Sequence, residues 1–261
     1  MNRLFVAAQN LDSREWVPVA ELTQLSEGYE LRYTQGATRV PGFVGFGRMQ
    51  ALDKIYHSSG LFPFFANRLI AKSRPEYRDY LRWLGLESAP KNLLEVLAIS
   101  GGARATDSFE LVAPPVSDGE TLRLRFFPRG LRYLPAASIQ LLYEQRDGAP
   151  LVLMKDVQNE KDGGALAIRT VEQTTVLVGY VPRYYCKGIG RLLDRAPQDV
   201  RLTIQRVNHD APLDMKLLLA IEAPIPAGFD LLDDVSDFHP LTNVGTEKMS
   251  AEIFSRTVLD I

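Results

Sequence analysis

Six short apolar segments in the second half of the chain constrain its fold more than any other feature. Each is six or seven residues long, and turns or polar stretches separate them. They span residues 122–127, 151–157, 165–171, 176–181, 201–207 and 215–221. Several short strands joined by turns are typical of a small β-barrel. We therefore predict a closed or partly closed barrel here, with a helix near residues 184–193.

The first part of the chain predicts a different arrangement. Three apolar or alternating segments lie within residues 3–34 and indicate a small sheet. Apolar residues then recur with helical spacing over 61–72, over 73–85 and after Pro90. Ser73 and Glu76 have the spacing of a capping box, and a glycine at position 85 is a typical helix stop. A helical cluster packed on a small sheet, followed by a barrel, makes the predicted fold class α+β.

A segment rich in proline and polar residues, 113–120, separates the two parts. It contains Pro114, Pro115 and Gly119, which favour a linker over a strand or helix. We therefore predict one module over residues 1–113 and a second over residues 120–228. An acidic C-terminal tail, 229–261, makes up the remainder.

Charge is distributed unevenly along the chain. The net charge is −2 overall, but it is +6 over residues 121–206 and −7 over residues 207–261. A basic block beside an acidic segment is typical of a protein that binds polyanions, although an uneven solvated surface gives the same pattern. We expect the acidic tail to lie over the basic block and to compete with a polyanion for it.

Composition argues against several classes of protein. One cysteine, Cys186, and three scattered histidines exclude an internal disulfide framework and argue against structural zinc. No apolar stretch reaches about 18 residues, and polar residues interrupt the N-terminus too early for a signal peptide. We expect a soluble, cytoplasmic protein with no membrane contact and no cofactor. No nucleophile, base and oxyanion donor can be assembled from its motifs, so we expect no enzymatic activity.

Three blocks in the second part indicate a binding surface. They are Gly130-Leu131-Arg132-Tyr133, the polar turn and strand at 159–168, and Gly179-Tyr180-Val181-Pro182. In order and spacing these blocks resemble the HIRAN domain, a small modified OB-like β-barrel. The resemblance implies recognition of single-stranded DNA or of a DNA 3′ end.

The resemblance also implies roles for individual residues. Arg132 and Tyr133 would hold the terminal nucleotide, since a guanidinium grips phosphate and a phenol ring stacks on a base. Asn159 and Asp162 would face the 3′ hydroxyl. Lys161 stands where the family has an aromatic residue, which leaves attraction for phosphate at this turn. Aromatic and basic residues alternate at the next predicted helix, where we expect further contacts from Arg183, Tyr184 and Lys187.

Each of these residues also has a purely structural explanation. Arg132 can pack on a half-buried Tyr133 without any ligand. Asn159 and Asp162 can bond their own backbone in a β-turn. A tyrosine within a strand, such as Tyr180, is often a core residue. The sequence alone leaves these alternatives open.

The first part of the chain resembles the N-terminal subdomain of HipA-type toxin kinases. The aromatic stretch 61–71 and the helix that ends at Trp83-Leu84-Gly85 carry this resemblance. It implies contact with a protein partner, and the sequence contains no Gly-rich loop with a partner lysine and no kinase catalytic loop. We expect four aromatic residues to contact that partner, namely Phe62, Phe64, Phe65 and Trp83.

These observations favour a bacterial, non-catalytic protein that binds single-stranded or end-containing DNA. The HIRAN-like barrel would bind DNA, and the HipA-like module would bind protein. The alternative is an antitoxin or defence-system subunit that binds and restrains a HipA-like kinase encoded nearby.

Overall fold

Two antiparallel β-sheets and five helices make up the part of the chain that the structure describes. The structure is a computed structural model, and it describes residues 2–87, 92–104, 106–171, 175–232 and 236–242. The first sheet has the spatial order β4-β3-β2-β1-β5. Its strands are β1 Arg3–Gln9, β2 Trp16–Gln24, β3 Tyr29–Tyr33, β4 Tyr56–Ser58 and β5 Phe109–Val112. The three strands predicted within residues 3–34 are confirmed.

The second sheet has the spatial order β10-β9-β8-β11-β12-β7-β6. Its strands are β6 Val116–Ser117, β7 Thr121–Phe126, β8 Pro150–Lys155, β9 Leu166–Thr170, β10 Leu177–Tyr180, β11 Arg201–Val207 and β12 Leu217–Pro224. The six segments predicted as strands correspond to β7 through β12, and all the strand pairs are antiparallel.

The helices are short, with one exception. They are α1 Pro63–Ala66, α2 Tyr77–Trp83, α3 Leu93–Ser100, α4 Ala136–Tyr143 and α5 Arg183–Arg195. Helix α5 confirms the helix predicted near residues 184–193. Among the described residues, none of the helices has the length and apolar character needed to cross a membrane.

The predicted helix starts in the first part are partly wrong. Helix α2 begins at Tyr77 and has no side-chain cap, so the predicted capping box does not form, whereas Gly85 ends the helix region with φ +66° as expected. The helix predicted over 61–72 is limited to α1. Helix α3 is capped by Asn92, whose side chain accepts a hydrogen bond from the Glu95 amide at 2.9 Å. Its predicted start at residues 88–90 lies outside the described residues.

The second sheet curves so that β10 approaches the chain just beyond β7. Arg129 and Tyr180 exchange two backbone hydrogen bonds there, at 2.8 and 2.9 Å. This isolated bridge joins β10 to the segment that follows β7. Within the described residues, no continuous strand ladder closes the sheet into a barrel. The predicted barrel is thus realised as a curved, open sheet, and its OB-like topology stays a prediction.

Strand β1 is buried on both faces and joins the two sheets. Leu4 and Val6 pack in the core of the first sheet, whereas Phe5 and Ala7, which point the other way, pack in the core of the second. The predicted linker at 113–120 lies between β5 and β7 and contains the two-residue strand β6, which the sequence did not predict. Packing across β1 nevertheless connects the parts of the chain on either side of that linker.

The described part of the predicted acidic tail packs on the fold. Leu231 and Leu232 are buried in the second core, and the Phe238 ring meets Phe5 edge-on with centroids 4.8 Å apart. Asp237 is buried and forms an ion pair with Arg39, which follows strand β3 in the chain. Residues 229–230 contact helix α5, within the basic block: the Phe229 ring centroid lies 4.7 and 5.8 Å from the guanidinium carbons of Arg191 and Arg195, and the Asp230 carbonyl accepts a hydrogen bond from Arg191 at 2.7 Å. That the tail competes with a polyanion stays a prediction.

The aromatic residues predicted to contact a protein partner are largely internal. Phe62 and Phe65 are buried in the first core. Phe64 packs between Phe46 and the Arg68 guanidinium, at 4.2 Å from each. Trp83 is half-buried, and its indole N–H donates to the carboxylate of Asp210 at 3.1 Å. Burial corrects the expectation for Phe62 and Phe65, whose rings lie inside the core. Phe64 and Trp83 are partly exposed, and their contact with a partner stays a prediction.

Candidate functional site

A groove of about 1000 Å³ lies where the two sheets meet. We call it the seam groove. Seven of the eight residues predicted to bind nucleic acid line it: Arg132, Tyr133, Asn159, Lys161, Asp162, Arg183 and Tyr184. The eighth, Lys187, lies one turn further along α5, where its exposed side chain is outside the lining. The structure therefore brings together residues from three separate sequence blocks.

Two glycines shape the wall that carries Arg132 and Tyr133. Gly130 has φ +87° and starts a tight 3-10 turn, Leu131–Tyr133, which is anchored by the buried side chain of its first residue. Gly179 has φ +129°, and a Cβ there would lie 2.6 Å from the Arg129 carbonyl oxygen. Glycine is required at this position because only its backbone can come so close to the neighbouring segment.

Arg132 and Tyr133 form an exposed pair at the edge of the groove. Tyr133 is 76% exposed, and the Arg132 guanidinium carbon lies 4.8 Å from its ring centroid. Arg132 takes part in no ion pair with any other described residue. The predicted alternative, an arginine packed on a half-buried tyrosine, is wrong in one respect, because the ring is open to solvent. A guanidinium and a free ring face are both available to a ligand.

The polar turn beside this pair is organised by its own side chains. The side-chain oxygen of Asn159, Oδ1, accepts hydrogen bonds from the backbone amides of Lys161 and Asp162, at 3.0 and 3.1 Å. Asp162 Oδ1 accepts from the Gly164 amide at 3.0 Å, and its Oδ2 lies 3.2 Å from Arg183 Nε. The turn explanation offered by the sequence is thus confirmed. It leaves the exposed Lys161 side chain to face the groove.

Tyr180 lines the groove from strand β10 and is half-buried rather than a full core residue. Its hydroxyl donates to Asp156 Oδ2 at 3.0 Å. Burial, reinforced by the hydrogen bond to the Asp156 carboxylate, raises the pKa of this phenol. The same carboxylate accepts from the Asn159 amide group at 3.0 Å, so the ring and the polar turn are held together.

A half-buried polar cluster in the groove lining links the second sheet to β5 of the first sheet. Arg129 Nη2 lies 2.7 Å from Glu110 Oε2, and the Tyr184 hydroxyl donates to the same oxygen at 3.3 Å. Burial, and then the Glu110 charge, raise the pKa of Tyr184, so it stays protonated as a donor. Sequence reasoning missed Glu110 and Arg129, since neither lies in a recognisable motif.

The first sheet also contributes to the lining, which was not predicted from the sequence. Gln9, Arg14 and Trp16 line the groove from the hairpin that joins β1 to β2. Arg14 lies at the turn with φ +59°, and its carbonyl accepts a hydrogen bond from Arg183 Nη1 at 3.2 Å. These residues lie more than a hundred positions from the blocks they meet, so no local pattern could identify them.

The lining carries more cations than anions. Five basic side chains line the groove: Arg14, Arg129, Arg132, Lys161 and Arg183. The acidic side chains of the lining are Glu110, Asp162 and Asp214. The imbalance agrees with the basic block seen in the sequence, and it favours a polyanionic ligand.

Chemically reactive groups are scarce at the groove. Cys186 is among the lining residues but is buried. Burial raises the pKa of its thiol to about 11, so the thiol stays protonated, and Cys186 is the small buried residue that the sequence indicated. Within the described residues, histidine, cysteine and carboxylate side chains form no cluster suited to a metal ion. The geometry can bind and stack, with no activated nucleophile in place.

Comparison with known proteins bears on the second sheet. Residues 122–223 match the model of the HIRAN domain family. One similar solved structure is a protein from Lactobacillus plantarum, at 20% identity over 40% of this chain and 92% of that chain, with a TM-score of 0.30. Another is the HIRAN domain of human HLTF, at 14% identity over 41% of this chain and 80% of that chain, with a TM-score of 0.29. No curated protein matches the chain.

The family match confirms the HIRAN resemblance predicted from the three blocks. It starts within β7 and ends within β12, so it includes the second-sheet wall of the seam groove and none of the first-sheet wall. These comparisons give no support to the HipA-like resemblance predicted for residues 1–113, which stays a prediction.

Proposed function

We propose that the chain binds single-stranded DNA, or a DNA end, in the seam groove of its HIRAN domain. The observation that carries the proposal is the convergence of Arg132, Tyr133 and Lys161 on one groove, where an exposed ring lies among cationic side chains. HIRAN resemblance implied this ligand from sequence, and the arrangement of charge and ring supports it independently.

The chemistry of the wall suits an unstacked nucleotide. Tyr133 offers an open ring face, and base stacking on such a ring is worth about 1–3 kcal/mol. Arg132 and Lys161, which line the same groove, can supply phosphate contacts, and such contacts tolerate any base sequence. A base buried in a duplex cannot reach an aromatic face, so a single strand or a frayed end is the form that fits.

The start of helix α5 adds to the attraction for phosphate. Its first residues, Arg183 and Tyr184, line the groove, and the first turn carries no acidic residue. The N-terminal end of a helix of 13 residues carries partial positive charge. This charge reinforces the basic side chains of the wall.

The role we propose is binding without catalysis. Contact with a HipA-like kinase would require exposed apolar surface on residues 1–113. Phe62 and Phe65 are buried there, so these two residues of the aromatic stretch offer a partner no surface. The proposal therefore rests on the groove.

Fluorescence anisotropy of labelled oligonucleotides tests the proposal on the full chain. A single strand, a blunt duplex and a duplex with a 3′ overhang of the same sequence are titrated in low salt. We expect the single strand and the overhang to bind and the blunt duplex to bind more weakly. Absence of binding to all three in low salt, where phosphate contacts are strongest, would contradict the proposal.

A further inference from the structure

We propose that Arg14 and Trp16 form a second nucleotide subsite, so that a bound strand continues from the HIRAN domain onto the first sheet. This inference rests on the proposed function and extends it to a part of the chain that the family match leaves out. The ligand class is single-stranded nucleic acid, and the new subsite would take the neighbouring base and its phosphate.

The placement of Trp16 is the first support. Trp16 is the first residue of β2 and pairs with Gln9 at the end of β1, so it stands where the hairpin opens toward the groove. Its indole is half-buried, since part of it packs on the second core while the side chain also lines the groove. A large aromatic side chain that packs on the core and is partly accessible in a groove can stack on a base, and little side-chain entropy is lost because it is already ordered.

Arg14 is the second support. Its side chain is exposed at the groove and takes part in no ion pair within the described residues. Among the described residues, Arg14 is the one non-glycine residue with a positive φ, +59°. This conformation costs about 1 kcal/mol or more, so it persists where the surrounding structure enforces it. The hydrogen bond from Arg183 to its carbonyl at 3.2 Å is one contact that holds it.

The two subsites share a continuous support. Glu110 on β5 pairs in register with Ala7 of β1, and its carboxylate binds Arg129 next to Gly130. The hairpin and the Tyr133 wall are therefore fixed to one another by strand pairing and an ion pair. A rigid connection of this kind suits a strand that contacts both walls at once, because little ordering is needed on binding.

Tryptophan fluorescence distinguishes this inference from the proposed function. The chain has two tryptophans, and Trp83 lies away from the groove with its indole bonded to Asp210. In the Trp83→Phe variant Trp16 is the sole emitter, and we expect added single-stranded DNA to quench it. In the matched Trp16→Phe variant we expect no change in emission.

Affinity measurements by anisotropy complete the test. We expect Trp16→Ala to weaken binding about fivefold or more, as loss of a stacking surface does, and Trp16→Phe to restore most of it. Arg14→Ala is a second variant, and because this side chain is exposed the change should leave the fold intact. We expect it to weaken binding of single-stranded DNA and to reduce the dependence of that binding on salt. Arg78→Ala, an exposed arginine on α2, is the control.

Each outcome decides the inference. If anisotropy shows binding while Trp16 emission stays constant and Arg14→Ala binds like the unaltered chain, the second subsite is wrong and the proposed function stands. If neither the unaltered chain nor any variant binds DNA, the proposed function is wrong and the inference fails with it.

Discussion

Arg183 Nε and Asp162 Oδ2 lie 3.2 Å apart, so two residues that the sequence predicts as nucleic-acid contacts bind each other. The ion pair joins the start of helix α5 to the polar turn. It also places a negative charge inside a groove whose lining is otherwise rich in cations. A phosphate that approaches Arg183 must compete with this carboxylate.

Asp162→Asn is therefore expected to tighten binding of single-stranded DNA. The substitution removes the charge but keeps Oδ1, which accepts from the Gly164 amide, so the turn is retained. Because exposed ion pairs are worth about 0.2–1 kcal/mol, we expect a gain of about two- to fivefold in low salt. Anisotropy with a 3′-hydroxyl strand and a 3′-phosphate strand is the measurement. Weaker binding of the 3′-hydroxyl strand alone would instead assign Asp162 the family's end-recognition role.

Tyr133 should contribute through its ring rather than its hydroxyl. We expect Tyr133→Ala to weaken binding about five- to 150-fold, the factor that corresponds to about 1–3 kcal/mol of stacking, and Tyr133→Phe to bind almost normally. The side chain is 76% exposed, so neither variant should alter the denaturation midpoint. Equal losses for both variants would show that the ring face is not the contact.

Several features of this fold were predictable from the sequence because they depend on local patterns. Strands β7 through β12 follow short apolar segments, and the three blocks with Gly130 and Gly179 mark the wall of the groove. The positive φ at those glycines is a local backbone feature that a glycine in the sequence can indicate, whereas the approach of Gly179 to the Arg129 carbonyl is a tertiary contact. The capping box at Ser73 failed, since the helix starts only at Tyr77.

That both sheets contribute residues to the groove could not be predicted in the same way. Trp16 and Glu110 reach the groove only because β1 packs against both cores. One signal was present: residues 4–8 form an unbroken apolar run, which is typical of a strand buried on both faces. That run indicates contact with a second layer, but the identity of the layer depends on tertiary packing.

Gly179→Ala should destabilise the fold and weaken the groove wall. At φ +129° an alanine is strained, and its Cβ would meet the Arg129 carbonyl oxygen. We expect a loss of about 1–3 kcal/mol in the free energy of unfolding. Gly190→Ala is the matched control, because no atom lies within 4 Å of its Cβ position in α5; alanine there should stabilise by about 0.5–1 kcal/mol. Denaturant titration measures both, and similar effects of the two changes would contradict the account.

Phe238 should be a stabilising residue of the core despite its position near the acidic C-terminal segment. It is 7% exposed and packs on Phe5 of β1. We expect Phe238→Ala to cost about 3–5 kcal/mol, whereas Val44→Ala, at a residue 66% exposed, should change stability by less than about 0.5 kcal/mol. Chemical denaturation of the two variants gives the comparison. A Phe238→Ala variant as stable as the control would mean that this segment does not pack on the fold.

The salt dependence of single-strand binding tests the central claim most directly. The dissociation constant is measured by anisotropy over a series of salt concentrations for the unaltered chain and for the double variant Arg132→Ala/Lys161→Ala. The control is Arg78→Ala/Arg201→Ala, which also removes two positive charges but at exposed positions outside the groove. Each lost phosphate contact lowers the slope of log affinity against log salt by about 0.7 for a single strand. We predict weaker binding and a slope reduced by about 1.4 for the groove variant, with the control close to the unaltered chain. Equal slopes and affinities for the groove variant and the control would contradict the assignment of the groove as the DNA site.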